Sequence, residues 1–559
     1  MNGTLLQHAV TAQAQVRSDA IAISFGSARM TYAALEENSN RLARLLKDAG
    51  CRRGDRIGLL MPKMPVAIVA MLGVLKADAI YVPLDPAGPD TRLARMLAIS
   101  DCRCILAAGH AGQMLNGSLA IASLAARPMI GWLDSAISPR PELRPTFTSR
   151  DLSAHSASLP GSVNRGRDVA HILFTSGSTG LPKGVMITHD NVLHFIRWAG
   201  AYFGIDATDR HSQHPPLQFD LSTFDIFGTL SAGAQLHLVP PNMNLVPHML
   251  AQFIRNAQLT QWFSVPSVLN LMAQFDLVRQ NDFPALRRLL FAGEVLPTAT
   301  LIYLMRRLPH VQFTNLYGPT ETTIASSFYT VPQCPADERR PIPIGRACDG
   351  EELLILDDAM QPVAQGQPGD LYIRGAGLSP GYWRDPEKTR GVFVPYPGAT
   401  DPQDMMYKTG DIASRGADGL VYYHGRADMQ IKSRGYRIEL GEIELSLHAL
   451  AELRDSAVVA VQSDGFEGWL ICCAYVAADN EVSPEGLRTR LAKALPAYML
   501  PARWMRVDVL PKNANGKVDR PGLRAAFQRE EPAPVRATAP SLDFDRSQPQ
   551  RMDHATDGR

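Results

Sequence analysis

The sequence predicts an α/β protein that is divided into more than one domain. Its 559 residues exceed an ordinary single domain, which holds about 100–200 residues. Two strand patterns, Arg56–Met61 and Ala79–Leu84, flank the helical pattern Pro65–Lys76. This order is typical of a parallel sheet with helices on its faces. The same alternation returns from Asn191 to Ile324.

The remaining segments predict other elements. Thr31–Leu46 has apolar residues at spacings of three and four behind a leading Thr, which predicts a capped amphipathic helix. Residues 110–165 lack a steady period and are rich in Ser, Pro, Gly and Ala, so we expect a surface connection there. Short strands are predicted from Gly366 to Gly425. Beyond them we expect helices at 439–450 and 484–495 and strands at 457–461 and 470–476.

The composition excludes several classes of protein. Lys plus Arg number 56 and Asp plus Glu 55, so a net charge of +1 provides no global field for nucleic acid or an anionic membrane. The longest apolar run, Val66–Leu75, is shorter than the roughly 20 residues that a membrane span needs. The first residues lack the basic region of a secretory signal. We therefore expect a cytoplasmic protein.

The cysteines and histidines do not predict a structural metal or a disulfide framework. The seven cysteines are odd in number and form no CxxC pair. The 14 histidines include no HExxH, and the close pair His211 and His214 has no evident third ligand. We expect reduced thiols.

The strongest chemical signal is the segment Phe174–Gly184, FTSGSTGLPKG, which follows the apolar run Val169–Leu173. Its glycines permit a tight backbone path, its hydroxyls and N–H groups suit phosphate, and Lys183 adds a cation. It is not a Walker A loop, because no Gly-Lys-Ser/Thr closes it.

Further motifs are weak one by one and informative in combination. In chain order they are FDLSTFD at 219–225, NLYGPTETT at 315–323, YKTGD at 407–411, HGRADMQIKSRGYRIELGEIE at 424–444 and PKNANGKVDR at 511–520. Together with the 174–184 loop they resemble, in order, the motifs of the adenylate-forming superfamily, which includes acyl-CoA synthetases, luciferases and the adenylation domains of nonribosomal peptide synthesis. The resemblance covers about residues 20 to 527.

The resemblance implies a fold and a domain division. It implies a large N-terminal adenylation core at 1–427, with α/β sheets, helices and a small β-barrel part, and a smaller mobile α+β domain at 428–527. The Pro-, Arg- and Asp-rich residues 528–559 would then be a disordered tail. Asp78 and Arg374 stand where the family often has Gly, and we expect small local changes there.

The resemblance also implies how ATP and Mg²⁺ are held. Lys517 would bridge the substrate carboxylate and the α-phosphate, Lys183 would contact phosphate, and Asp428 would be the hinge. Glu321 would bind Mg²⁺, since a hard cation prefers a carboxylate. The implied nucleotide-binding residues are Thr175, Ser176, Gly177, Ser178, Thr179, Gly180, Gly293, Glu294, Asn315, Tyr317, Gly318, Thr320, Asp411, Tyr423 and Arg426.

Asp220 indicates the substrate class. In adenylation domains the matching Asp pairs with the α-ammonium of an amino acid, whereas simple acyl-CoA synthetases have no need of it. The rest of the implied pocket is apolar and consists of Leu221, Phe224, Phe263, Leu290, Ala292, Leu316, Ile324 and Ala325. An unpaired polar side chain would be costly there, so we expect a small apolar amino acid. The set resembles that of stand-alone L-prolyl-AMP ligases.

The expected acceptor is the phosphopantetheine thiol of a discrete peptidyl carrier protein, because the chain has no Gly-Gly-x-Ser-Leu carrier segment. Free coenzyme A or a small amine stays open as the acceptor. Three alternatives also stay open: a ligase for alanine or valine, an acyl-CoA ligase, and an ATP-binding regulatory protein that has lost catalysis.

Overall fold

The computed structural model describes residues 5–134, 141–177, 181–244, 246–463, 468–478, 482–512 and 518–529. The strands are β1 (Ile21–Phe25), β2 (Ala28–Thr31), β3 (Arg56–Leu60), β4 (Ile80–Leu84), β5 (Cys104–Ala107), β6 (Met129–Trp132), β7 (Phe147–Thr148), β8 (Val169–Thr175), β9 (Lys183–Thr188), β10 (Arg210–Gln213), β11 (Gln235–Leu238), β12 (Gln261–Ser264), β13 (Arg288–Ala292), β14 (Gln312–Tyr317), β15 (Ser327–Thr330), β16 (Arg346–Ala347), β17 (Glu351–Leu356), β18 (Gly369–Gly375), β19 (Phe393–Pro395), β20 (Met405–Arg415), β21 (Val421–Arg426), β22 (Gln430–Ser433), β23 (Tyr436–Glu439), β24 (Leu453–Gln462), β25 (Trp469–Ala477) and β26 (Arg503–Arg506).

The α-helices lie between these strands. They are α1 (Leu6–Val16), α2 (Tyr32–Asp48), α3 (Pro65–Lys76), α4 (Asp90–Ser100), α5 (Gly112–Ile121), α6 (His189–Phe203), α7 (Asp220–Thr223), α8 (Thr229–Ser231), α9 (Pro247–Ala257), α10 (Pro266–Gln274), α11 (Thr298–Arg307), α12 (Pro386–Val392), α13 (Leu440–His448), α14 (Pro484–Leu491) and α15 (Arg520–Arg529). No described helix combines the length and the apolar surface needed to cross a bilayer.

The first sheet contains the predicted strand–helix–strand unit. Its strand order is β7-β6-β5-β3-β4-β8-β9, and β3 pairs in parallel with β4 and β5. Helix α3 is apolar nearly all round and is buried from Ala67 to Lys76, as expected of a helix enclosed by the core. The Lys76 ammonium donates to Glu36 at 2.7 Å and to Ser39 and Asn40 at 2.8 Å. Helix α2 begins behind Thr31, whose hydroxyl accepts from the Ala34 N–H at 3.1 Å, which confirms the predicted cap.

The interpretation of residues 110–165 as a surface connection was wrong in part. Helix α5 lies in this stretch, and β6 and β7 extend the first sheet in parallel with β5. Ile130 and Trp132 are buried. The short apolar segments are too far apart to show a period in the sequence, because each depends on the sheet edge beside it for burial.

The second sheet positions the carboxyl ends of several strands side by side. Its order is β16-β15-β14-β13-β12-β10-β11-β1-β2, and β10 to β14 run parallel to their neighbours within that group. Register pairs Phe263 with Leu290, and Ala292 with Leu316. In open α/β sheets such strand ends form ligand crevices.

The C-terminal part of the chain is built differently. Strands β17 to β21 form an antiparallel sheet, whereas β24, β25 and β26 form a mixed sheet that carries α13 and α15. In the mixed sheet β25 is antiparallel to β24 and parallel to β26. Between the two sheets in the chain lies the two-stranded β22–β23 hairpin, which we call the hairpin (residues 430–439). The described residues from 430 to 529 form a smaller unit with two buried clusters of its own. Residues 528 and 529 end α15, and the rest of the predicted tail lies outside the described residues.

The two departures from the family pattern have local explanations. Asp78 has a left-handed φ of 61°, and its carboxylate accepts from Ser162, from the Val163 and Asn164 N–H groups, and from Lys47. It therefore ties the loop before β8 to α2. Arg374 makes a bidentate pair with Asp404, with both distances at 2.7 Å.

Candidate active site

Several of the predicted site residues line a cavity of about 120 Å³ between the second sheet and the hairpin. Its lining includes Asp220, Ile324, Asp411, Lys432 and Arg437. A larger open cavity of about 720 Å³ lies beside β17 and β18, around Arg374. We place the chemistry in the smaller cavity, because none of the predicted site residues lines the larger one.

The loop predicted to hold phosphate connects β8 to β9, which are antiparallel, with Thr175 opposite Lys183. A Cβ at Gly177 would lie 2.2 Å from the Leu181 carbonyl oxygen, so this path needs glycine. The Thr175 Oγ1 is buried and has no hydrogen-bond partner among the described residues. A buried orphan hydroxyl fits a ligand oxygen, as a nucleotide phosphate would provide. Ser178, Thr179 and Gly180 lie outside the described residues.

Glu321 is the electrostatic centre of the site. Its carboxylate is fully buried and accepts from Arg437 at 2.7 and 3.0 Å, from the Tyr382 hydroxyl at 2.7 Å, and lies 3.2 Å from the Lys183 ammonium. Burial alone would raise the pKa of Glu321, but Arg437 and Lys183 outweigh it and hold the pKa well below its usual range. Burial lowers the pKa of Lys183, as does the nearby Arg437. Glu321 is therefore an anion that needs cations around it.

Glu321 could hold Mg²⁺ in the way that is common in nucleotide-binding sites, where the protein provides few ligands and the nucleotide provides others. Among the described residues, His, Cys, Asp and Glu do not gather into a group of three. Mg²⁺ is commonly held by one or two carboxylates, with water and substrate phosphates completing its shell. One buried carboxylate beside the phosphate loop meets that requirement.

The predicted adenine and ribose residues lie together. The Tyr317 hydroxyl donates to Asp411, whose other oxygen accepts from Arg426 at 2.8 Å. The rings of Tyr317 and Tyr423 have centroids 6.4 Å apart. The Asn315 amide donates to the Pro343 carbonyl at 2.9 Å. Thus both carboxylate oxygens of Asp411 accept hydrogen bonds.

Two glycines, Gly318 and Gly293, have backbone positions in this part of the site that other residues would not readily adopt. A Cβ at Gly318 would lie 2.6 Å from the Ala325 Cα, so only glycine permits this close approach. Gly293 has φ 92°. The Glu294 carboxylate accepts from the Ser267 N–H at 3.0 Å and from the Gly435 N–H at 2.8 Å. Glu294 thus contacts the hairpin in this structure.

Asp220, the first residue of α7, lines the same cavity. It is 8% exposed. Burial raises its pKa to about 6, and a hydrogen bond from Thr320 and the nearby Lys432 lower it in part. An anionic Asp220 in this position gains from a cationic partner.

The predicted apolar residues form one continuous cluster with Asp220 at its edge. All eight are at most 8% exposed: Leu221, Phe224, Phe263, Leu290, Ala292, Leu316, Ile324 and Ala325. Leu221, Ala292 and Ile324 line the cavity, and Phe224 meets Phe263 edge-on at 5.9 Å. Ile324 has a left-handed φ of 70°, which is rare for a β-branched residue and common near binding sites.

The hairpin brings residues that the sequence did not assign to the site. Lys432 lies 5.9 Å from the Tyr317 ring centroid, and Arg437 pairs with Glu321. The only sequence feature that could have indicated them is the cluster of three basic residues Lys432, Arg434 and Arg437 in a short segment. The spacing of these residues does not predict where the hairpin docks. Asp428, just before the hairpin, accepts from Arg426 at 2.9 Å and from the Gln430 N–H at 3.0 Å. Lys517 lies outside the described residues.

Comparison with known proteins gives consistent matches. Residues 10–383 match the model of the AMP-binding enzyme family, and residues 442–517 match the AMP-binding enzyme C-terminal domain. Bacitracin synthase 3 of Bacillus licheniformis is 34% identical over 538 residues, which is 95% of this chain and 8% of that protein. The chain therefore spans less than a tenth of the length of this relative.

Two solved structures share the fold. The Vibrio cholerae adenylation domain AlmE, in complex with glycyl-adenosine-5'-phosphate, has a TM-score of 0.82 and 26% identity and covers 94% of this chain and 98% of its own. An NRPS protein containing adenylation and PCP domains, bound to a vinylsulfonamide inhibitor, has a TM-score of 0.75 and 26% identity over 95% of this chain and 85% of its own.

Proposed function

The chain belongs to the family of AMP-binding enzymes, and on that premise we propose that it activates a small apolar amino acid, L-proline, as an aminoacyl-adenylate. Its nonribosomal-peptide-type relatives support an amino acid as the substrate. The single observation that carries the proposal is Asp220, a buried carboxylate that lines a small cavity together with the apolar Leu221, Ala292 and Ile324. Thr320 donates a hydrogen bond to it and Lys432 lies nearby, and an α-ammonium would give this carboxylate a direct ionic partner.

The apolar wall beside Asp220 supports proline in particular. Leu221, Ala292 and Ile324 line the cavity, and they share a buried apolar cluster with Phe224, Phe263 and Leu316. The ring of proline fills compact apolar space, leaves no polar side-chain atom unpaired, and loses little rotamer freedom on binding. Its secondary amine is cationic at neutral pH and pairs with Asp220.

The proposed first reaction transfers adenylate to the amino acid. A carboxylate oxygen attacks the α-phosphorus of ATP, the bond to the bridging oxygen breaks, and pyrophosphate leaves with that electron pair. Lys183 and Lys517 offset the growing negative charge, and the loop from Thr175 to Gly180 holds the phosphates. Asn315, Tyr317, Asp411, Tyr423 and Arg426 hold the nucleoside. Mg²⁺, bound through Glu321, would supply Lewis-acid stabilisation of the phosphates.

The proposed second reaction passes the aminoacyl group to the phosphopantetheine thiol of a carrier protein. The thiol sulfur attacks the acyl carbon, and AMP leaves. The related NRPS protein with adenylation and PCP domains supports such a partner, and we propose that here the carrier is a separate protein. The small domain, 428–527, would turn about Asp428 on the core, 1–427, and withdraw Lys517. We place the reaction in the cytoplasm, where ATP is available and the seven cysteines, which form no disulfide in this structure, stay reduced.

Amino-acid-dependent pyrophosphate exchange tests the proposal. The panel is L-proline, D-proline, L-alanine, L-valine and L-pipecolate at equal concentrations, together with acetate and a short fatty acid. We expect L-proline to give the fastest exchange and the acids without an amine to give none. A faster rate with alanine or valine would overturn proline and keep the amino-acid class. If only the fatty acid supports exchange, the result would favour an acyl-CoA ligase. If no acid supports exchange, it would favour a regulatory ATP-binding protein.

A further inference from the structure

The smaller unit reaches the active site through the hairpin. The Gly435 N–H donates to Glu294 at 2.8 Å, and the Arg437 carbonyl accepts from the Ser176 hydroxyl at 2.6 Å. The Arg437 guanidinium then reaches both oxygens of Glu321. Arg92, which also lines the cavity, pairs with Glu442 at 2.5 Å and so holds α4 against α13.

Arg437 is the principal counter-charge of Glu321 in this arrangement. Glu321 is fully buried, and leaving a buried carboxylate without a cation is strongly unfavourable. A carboxylate has about four acceptor positions. Arg437 takes two of them, and Tyr382 and Lys183 approach the Oε1 atom as well. A metal that coordinated Glu321 would therefore need the place of the guanidinium.

We propose that Arg437 and the divalent metal of the nucleotide are alternative counter-ions of Glu321, so that metal binding and docking of the hairpin exclude each other. The inference rests on the proposed function for the assignment of the metal to Glu321. It goes beyond that function, because it makes the position of the hairpin depend on whether the metal is bound. Because linkage is reciprocal, docking of the hairpin weakens metal–nucleotide binding by the same factor by which the bound metal–nucleotide weakens docking.

The test measures metal binding and hairpin docking without any amino acid. Mn²⁺ with α,β-methylene-ATP, which cannot be cleaved between its α- and β-phosphorus atoms, is titrated and the free Mn²⁺ is followed by electron paramagnetic resonance. Docking is followed by energy transfer between a dye on Cys334, which is exposed, and a dye on the exposed position created by Gln462→Cys. The other cysteines of the chain are buried.

In the wild type, saturation with the Mn²⁺–nucleotide should change the energy transfer as the hairpin leaves Glu321. Arg437→Gln should start undocked, show little further change, and bind the Mn²⁺–nucleotide about tenfold more tightly, because less of the protein is in the excluded state. Arg437→Lys should be intermediate, since it keeps the charge but replaces the planar guanidinium, whose Nη1 reaches both oxygens of Glu321, by a more strongly hydrated ammonium. Arg454→Gln, exposed on the same unit, should match the wild type.

Two results would overturn the inference. The first is that both Arg437 variants bind the Mn²⁺–nucleotide with the same affinity as the wild type. The second is that the Mn²⁺–nucleotide does not change the energy transfer in the wild type. Failure of the wild type to bind the Mn²⁺–nucleotide at all would instead contradict the proposed function. A different preferred amino acid would leave the inference standing. Melting curves of each variant check that it folds, and Arg437→Lys carries the test if Arg437→Gln does not.

Discussion

The nucleotide end and the amino-acid end of this site solve the problem of burying charge in opposite ways. At the nucleotide end, Glu321, Lys183 and Arg437 neutralise one another, and one of these partners comes from a separate unit of the chain. At the amino-acid end, Asp220 lies against a fixed apolar wall and has a raised pKa. We propose that Glu321 at the first end exchanges its counter-ions, and that Asp220 at the second end, with Lys432 nearby, pairs with the ammonium of the substrate.

Lys517 gives the largest expected effect and separates the two ends most clearly. Lys517→Ala should lower adenylate formation by about two to four orders of magnitude, because a charge-stabilising group is lost at the transferring phosphate. Transfer from supplied prolyl-adenylate to the carrier should largely survive. Single-turnover assays of each half-reaction measure both. An equal loss in the two half-reactions would contradict a lysine that acts in only one pose.

Asp220→Asn should nearly abolish activity while leaving the nucleotide end intact. An unpaired ammonium in a dry pocket costs about 3 kcal/mol or more, so kcat/KM for the amino acid should fall by about two orders of magnitude or more. ATP binding should change little. The matched control is Asp225→Asn, five residues later, because burial raises the pKa of Asp225 well above its usual value and the neutral amide resembles its protonated form. Similar losses in both variants would point to damage to α7 instead of a lost ion pair.

The pH dependence of amino-acid binding follows from Asp220. Its pKa of about 6 is raised by burial, so the carboxylate is ionised above that pH and becomes protonated, and unable to pair with an ammonium, below it. KM for the amino acid should therefore rise about tenfold per pH unit below 6 and stay flat from 7 to 8. KM for ATP provides the internal reference. A flat amino-acid profile from pH 5 to 7 would show that Asp220 is already ionised there.

Leu316→Ala should give the smallest change in activity and probes the fixed wall. Removing this buried side chain enlarges the pocket and should shift preference from proline towards leucine by about tenfold, in line with about 1–3 kcal/mol per methylene-scale change. It should also destabilise the fold by about 2–5 kcal/mol. Leu289→Ala, on the adjacent strand and in a different cluster, should destabilise similarly without changing preference. If the two variants showed the same preference between proline and leucine, Leu316 would not be part of the wall of the amino-acid pocket.

Local patterns predicted much of this architecture. Helix α3 and the strands on either side of it lie where periodicity placed them, because each carries its own burial pattern. The motif resemblance also singled out Tyr317, Asp411, Tyr423 and Arg426, which the fold brings together. Strand pairing sets Asp411 of β20 opposite Arg426 of β21, and Tyr317 at the end of β14 donates to Asp411.

What the sequence missed depended on contacts between distant elements. Strands β6 and β7 are short and gain their burial from β5. Arg437 is an ordinary basic residue of a short strand until the hairpin docks, 116 residues away in sequence from Glu321. No local pattern records such a docking, since either side chain alone is compatible with a solvated surface.

The central claim is that a buried carboxylate selects an amine-bearing acid, and one comparison tests it directly. Pyrophosphate exchange is measured with L-proline and with cyclopentanecarboxylate, which has the same ring size without the amine, in the wild type and in Asp220→Ala. The account predicts that the wild type favours L-proline by about two orders of magnitude or more and that Asp220→Ala removes most of that preference. Comparable exchange with both acids in the wild type, or an unchanged preference in Asp220→Ala, would contradict it.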